Sequence, residues 1–154
     1  MSEHLAIVEW QSDGSFRAGR YSRVHSISFD GGAQVKGSAS PHVVPEPMAD
    51  PVAVDPEEML VAATAACHML WFLDLARRAG LEVASYRDEA RGMMGKLDGR
   101  TAVARIVLRP RIVFEGSPPE EATLARLHHE AHEHCFIANS LRSEVIVEGS
   151  ISAD

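Results

Sequence analysis

The sequence predicts an α+β fold, built of mostly antiparallel sheet around one central helix, and three observations carry that expectation. Short alternating segments bounded by Gly, Pro, Asn and Asp occupy both ends of the chain, a single long apolar segment from Asp55 to Gly80 interrupts them, and an amphipathic helical segment precedes the last alternating run. The resulting order is βββ, helix, ββ, helix, β, with no internal repeat, which fits a single domain over residues 1–154.

The first strand is expected at Leu5 to Trp10, with a turn at Ser12-Asp13-Gly14 and a second strand from Tyr21 to Phe29. Asp30-Gly31-Gly32 turns the chain into a third strand, Ala33 to Lys36. Arg17, Arg20 and Arg23 lie around the first connection, where their ordinary role is solvated surface. Gly37 to Pro56 holds five of the eight prolines, so it reads as an extended connection, either a plain crossover or the wall of a site.

The central helix has clear ends. Asp55 is an N-cap, Pro56 suits the first helical position because its missing N–H would be unpaired there, and Glu58 closes a capping box. Arg77 and Arg78 complement the negative end of the helix dipole, and Gly80 can take the left-handed conformation that stops a helix. Between them Met59 to Leu73 is apolar on every face apart from Thr64, Cys67 and His68, so this helix is expected to be buried all round. The apolar run is shorter and more interrupted than the roughly 20 residues a bilayer span needs. Either sheet wraps it or a second copy of the chain covers it, which makes a homodimer the expected assembly.

After the helix, Glu82 to Lys96 reads as a long irregular strand, Leu97-Asp98-Gly99-Arg100 as a hairpin turn, and Thr101 to Glu115 as its partner. In the partner, Ala102, Ala104, Ile106, Leu108, Ile112 and Phe114 share one face and Arg105, Arg109 and Arg111 the other, while Pro110 marks an edge, bulge or bend. Ser117-Pro118-Pro119-Glu120 has the form of a second capping box, and Leu124, Leu127 and Ala131 form the apolar stripe of the helix behind it. That helix ends near Cys135, a turn follows through Ala138-Asn139-Ser140, and Glu144 to Ile151 makes the last strand.

Composition narrows the function. With 45% hydrophobic and 24% charged residues the chain is neither disordered nor a membrane protein. A formal charge of −7 argues against nucleic acid or an anionic membrane as partner, since both require a basic field. The segment MSEHLAIVEWQSDG lacks the apolar stretch of a signal peptide, which points to the cytoplasm, where a bond between the two cysteines would be transient and catalytic rather than structural.

Those two cysteines, Cys67 in the central helix and Cys135 at the end of the second, are the candidate chemistry, although a lone helical cysteine usually behaves as a small buried hydrophobe. His128, His132 and Cys135 recur at helical spacing, and with His68, His129 and His134 they leave a metal site open as an alternative to a solvated histidine-rich face. The HExxH register of zinc hydrolases is absent, because His129-Glu130 is followed by His132 rather than by a histidine at 133.

The stretches DPEEMLVAATAACHM and HEHCFIANSLRSEV, together with the order of elements, resemble the family of osmotically inducible protein C and organic hydroperoxide resistance proteins (OsmC/Ohr) over nearly the whole chain. The resemblance implies an OsmC-like intertwined homodimer with sheets wrapped around the central helices, and a thiol-dependent peroxidase acting on organic hydroperoxides with a thiol or dithiol reductant and no cofactor or metal. It makes Cys67 the peroxidatic and Cys135 the resolving cysteine, with Glu57 as the acidic partner of an active-site arginine, Arg23 or, failing that, Arg20. A metal-binding protein, or a noncatalytic binder of apolar ligands, is the alternative on the same fold.

The chemistry itself asks for a cation. The reactive species is a thiolate, and Cys67 lies about three turns into its helix, beyond the reach of the N-terminal dipole. An arginine remains charged when partly buried and can fork between a thiolate and a carboxylate. Met69, Leu70, Trp71 and Phe72 would either line a pocket for an alkyl tail or simply pack the core. On one straight helix Glu57 and Cys67 stand about 15 Å apart along the axis and on different faces, so the expected site draws on two subunits.

Overall fold

The alternating segments at the start of the chain pair as a meander. In a computed structural model that describes residues 1–151, β1 (Ala6–Glu9), β2 (His25–Phe29) and β3 (Gln34–Gly37) form an antiparallel sheet in that order, with Ala6 opposite Phe29 and His25 opposite Gly37. The second strand starts four residues later than its alternation indicates, because residues 21–24 are engaged elsewhere: Tyr21 packs into an aromatic cluster and the Arg23 N–H donates to the Met48 carbonyl at 2.8 Å. The proline-rich connection does not stand free. Ser38 N–H donates to the Val54 carbonyl, Asp50 N–H donates to the buried Ser38 hydroxyl, and Lys36 pairs with Asp50, so the connection is fastened back along β3.

The chain forms two compact units, Met1–Met59 and Leu60–Asp154, and the boundary falls one turn into the first helix. That helix, α1, runs unbroken over Pro56–Arg78. Its capping box closes as expected: the Glu58 N–H donates to Asp55 Oδ1 at 2.7 Å and the Asp55 N–H donates to Glu58 Oε2 at 3.1 Å. Gly80 ends it at φ +76°, where a side chain would be strained. At 23 residues the helix is longer than its apolar run, and it meets the length and composition of a membrane span, a test that core helices of soluble proteins also pass. Length therefore does not separate the two, as the sequence argument had it doing. Within one chain only Thr64, His68, Phe72 and Ala76 of α1 are buried, a stripe at every fourth residue, and Ala62, Ala63, Ala66 and Leu70 are exposed.

In the second unit the expected long hairpin is broken across two sheets. β4 (Val83–Asp88) and β5 (Arg91–Leu97) replace one strand, and β6 (Arg100–Leu108) and β7 (Pro110–Phe114) replace its partner. The turn between β5 and β6 is as expected, with Asp98 and Gly99 both at positive φ. The break has a physical cause at Arg109-Pro110: Pro110 has no N–H to give to a ladder, and the Arg109 N–H leaves the ladder to donate to Asp88 Oδ1 at 2.7 Å.

The next helix, α2 (Glu121–His134), starts later than the Ser117 capping box would place it, at an N-cap of Glu120 without a side-chain cap. The cause is Pro119, which drives Pro118 out of the helical region. A short α3 (Phe136–Ser140) forms where a turn was expected, and the last strand divides into β8 (Glu144–Val147) and β9 (Ser150–Ile151). The sheets are β4-β7-β9 and β5-β6-β8, antiparallel except that β8 runs parallel to β6 and β9 parallel to β7. Phe72 and Ala76 of α1, Ile112 of β7, and Leu124, Leu127 and Ala131 of α2 form the core of this unit. The fold is α+β and mostly antiparallel, as the order of segments indicated.

Candidate active site

Packing of α1 against α2 brings the two cysteines together. The Cys135 thiol is buried at 1% exposure and the Cys67 thiol is half-buried; both are free. Cys135 closes the last turn of α2 and caps α3, its sulfur accepting from the Ala138 N–H at 3.4 Å. Burial, with the adjacent Cys67 side chain acting in the same direction, pushes its pKa up to about 11 against the downward pull of the Ala138 N–H. Trp71, one turn beyond Cys67, braces this contact: its ring stacks on His134 at 4.9 Å and meets Phe136 edge-on at 5.6 Å, and these residues flank Cys135 in sequence.

The apolar neighbours of Cys67 do not line one pocket. Phe72 is in the core, Trp71 packs on His134 and Phe136, and Leu70 is 62% exposed. Successive residues on a helix point about 100° apart, so a run of four cannot share one surface.

In the first unit Arg23 is half-buried and held. Its guanidinium lies 3.4 Å from the centroid of the Tyr21 ring and donates to the Tyr21 carbonyl, and Tyr21 packs against Trp10 and Phe16. Arg20 is exposed. Glu57 is half-buried on the first turn of α1, and neither it nor Arg23 takes part in an ion pair among the described residues. The aromatic clamp on Arg23 was missed in the sequence; Trp10, Phe16 and Tyr21 around the arginines were the available signal.

The histidines form a different arrangement from a metal centre. His68 is 1% exposed and His128 7%, and His68 Nε2 lies 3.1 Å from His128 Nδ1, so the two rings share a hydrogen bond instead of aiming at a common ion. Among the described residues no three His, Cys, Asp or Glu side chains are placed to hold a metal. Burial lowers both pKa values from 6.5 to about 4, and for His68 the charges of His128 and His132 act in the same direction. A cleft of about 360 Å³ opens beside this pair, lined by His128, His129 and His132 of α2 and by Val145, Val147 and Gly149. The direct pairing of His68 with His128 was also missed, although His128 sits four residues after Leu124, on the apolar stripe of α2.

Comparison with known proteins gives this arrangement its context. A solved OsmC-like protein of unknown function from Vibrio cholerae O1 is 49% identical, with a TM-score of 0.94 over 97% of this chain and all of that one. An organic hydroperoxide resistance protein from Elizabethkingia anophelis shares the fold at a TM-score of 0.70 and 18% identity, over 100% of this chain and 98% of that one. The uncharacterised protein YmaD of Bacillus subtilis is 27% identical over 93 residues, which span 59% of this chain and 62% of YmaD. The OsmC-like protein family model matches residues 49–149, a stretch that includes α1, both cysteines and the strands β4 to β8, and the chain therefore belongs to the OsmC-like family.

Proposed function

We propose that this protein is a thiol-dependent peroxidase that reduces organic hydroperoxides in the cytoplasm, with Cys67 as the peroxidatic and Cys135 as the resolving cysteine. The observation that carries the reading is the asymmetric thiol pair: an accessible Cys67 beside a buried Cys135 whose pKa is near 11. A thiol with that pKa is protonated at neutral pH and inert toward peroxide. Cys135 thus remains reduced until a sulfenic acid forms next to it.

In the proposed cycle the Cys67 thiolate attacks the outer oxygen of ROOH; an S–O bond forms, the O–O bond breaks, and the leaving alkoxide takes a proton to become ROH. The Cys135 sulfur then attacks the Cys67 sulfenic acid, forming an S–S bond, and its proton leaves with the hydroxyl as water. A dithiol reductant returns both cysteines to thiols and departs as a disulfide. Arg23, oriented by Glu57, supplies the cation that favours the thiolate and steadies the departing oxygen, without metal or cofactor. We assign these two residues to the partner subunit of a homodimer, with residues 1–154 acting as one domain. The apolar faces open within one chain support a dimer: Leu5, Ile7, Val8 and Trp10 near the N-terminus, and Leu70 and Phe136 in the second unit, are each at least 41% exposed.

Stopped-flow mixing of reduced protein with an organic hydroperoxide and with hydrogen peroxide tests the reading. One Cys67–Cys135 disulfide per chain is expected, formed faster with the organic peroxide, and Cys135→Ser is expected to turn over once and then overoxidise at Cys67. Peptide maps showing only Cys67–Cys67 links between subunits would remove Cys135 from its role.

A further inference from the structure

The buried His68–His128 pair has no part in the peroxidase cycle, and its cost needs an explanation. Besides the shared bond, His68 Nδ1 and His128 Nε2 are both buried without a partner among the described residues. Each such atom has given up its hydration without compensation, so two aliphatic side chains in these places would serve stability at least as well. What a hydrogen bond offers that aliphatic packing does not is direction. Whichever ring carries the proton on the shared edge, the two nitrogens must stay in line and near 3 Å.

Position supplies the use for that direction. His68 follows Cys67 on α1, and His128 precedes Cys135 by seven residues, two turns or about 10 Å along α2 and on the same face. A single contact between helices leaves them free to pivot and slide, whereas two contacts that stand about 10 Å apart on α2 and meet adjacent residues of α1 restrain α2 on that stretch of α1. The apolar contacts among Phe72, Ala76, Leu124, Leu127 and Ala131 hold the helices together but tolerate small slides. A disulfide does not, because its Cβ atoms must approach to about 4 Å in a narrow range of torsions.

The His128 ring is confined in turn. Phe72 stacks on it at 4.5 Å, and Gly149 lies against its far edge, where an added Cβ would stand 2.6 Å from His128 Nε2. Only glycine allows the chain leaving β8 to close over the ring.

We propose that His68 and His128 are positioning residues, whose hydrogen bond sets the register of α2 on α1 in which Cys67 and Cys135 can join. The proposal rests on the two-thiol reading of the site and on no property of the peroxide.

The test is the equilibrium between the dithiol and the intrachain disulfide in a glutathione redox buffer, read by alkylation and mass spectrometry without any peroxide. In His68→Leu/His128→Leu the effective concentration of the two thiols is expected to fall about tenfold or more while Tm holds or rises, since a displacement of about 1 Å is costly to a reacting pair. His68→Gln/His128→Asn, which keeps a donor and an acceptor at the shared edge, is expected to recover most of it. Gly149→Ala, which leaves both imidazoles intact but displaces the ring, is expected to lower it. A double leucine variant that is folded by circular dichroism and forms the disulfide as readily as wild type overturns the positioning role alone. Wild-type protein that forms no Cys67–Cys135 disulfide at all overturns the two-thiol reading together with this proposal.

Discussion

His68 and His128 give the residue scale its clearest signature in solution. Both imidazoles are neutral in the folded protein down to about pH 4, whereas in the unfolded chain they take up protons near 6.5. Between those values the unfolded state binds more protons, so stability is complete above pH 6.5 and falls as the solution is acidified toward pH 4. Thermal melts from pH 7 to pH 4 are expected to lose Tm more steeply in wild type than in His68→Leu/His128→Leu. Parallel slopes for the two proteins would assign the acid sensitivity to other groups. Cys67 and Cys135 were legible as a pair because cysteine is rare in this chain and each sits in distinctive surroundings. The histidine pair was not, because spacing along a helix shows which residues share a face but not what stands opposite them.

Among the elements, α1 was the most legible and β4 to β7 the least. The start of α1 is written in three consecutive side-chain rules, and Asp55 and Glu58 make the reciprocal bonds those rules describe. Asp55→Ala is expected to destabilise the protein by about 1 kcal/mol, visible as a lower urea midpoint with an unchanged slope, and Asp55→Asn by less. A variant with an unshifted midpoint would mean that packing alone defines this helix end. Alternation across residues 101–115 correctly gave strand, yet it cannot report a change of sheet, because the period of two continues through the bend. Only the missing N–H of Pro110 betrays it, and only the Asp88 carboxylate waiting for Arg109 shows where the chain goes. The Ser117 capping box failed for a related reason: the pattern was present, but a proline pair inside it forbids the conformation it needs.

At the scale of the whole molecule, the open faces of α1 decide the next experiment. Co-expressing Cys67→Ser chains with Arg23→Ala chains is expected to recover part of the turnover in purified heterodimers, since under the proposed sharing one of the two sites then has both its cysteine and its arginine. Heterodimers of verified composition with no recovered activity would confine the site to one subunit. Burial on all sides was inferred from composition alone, and composition cannot distinguish cover by the same chain from cover by another. The strand order carries a further consequence, for synthesis. β8 and β9 follow one another in the chain but complete different sheets, pairing Arg105 with Glu144 and Arg111 with Ser150 across 39 residues in each case. Parallel pairings over such separations close slowly. Until translation has passed residue 147 for β6 and residue 151 for β7, these apolar strands each expose an unpaired edge, the kind of template on which neighbouring nascent chains aggregate. A chaperone that shields those two edges on the ribosome would therefore raise the yield of soluble protein without touching either cysteine.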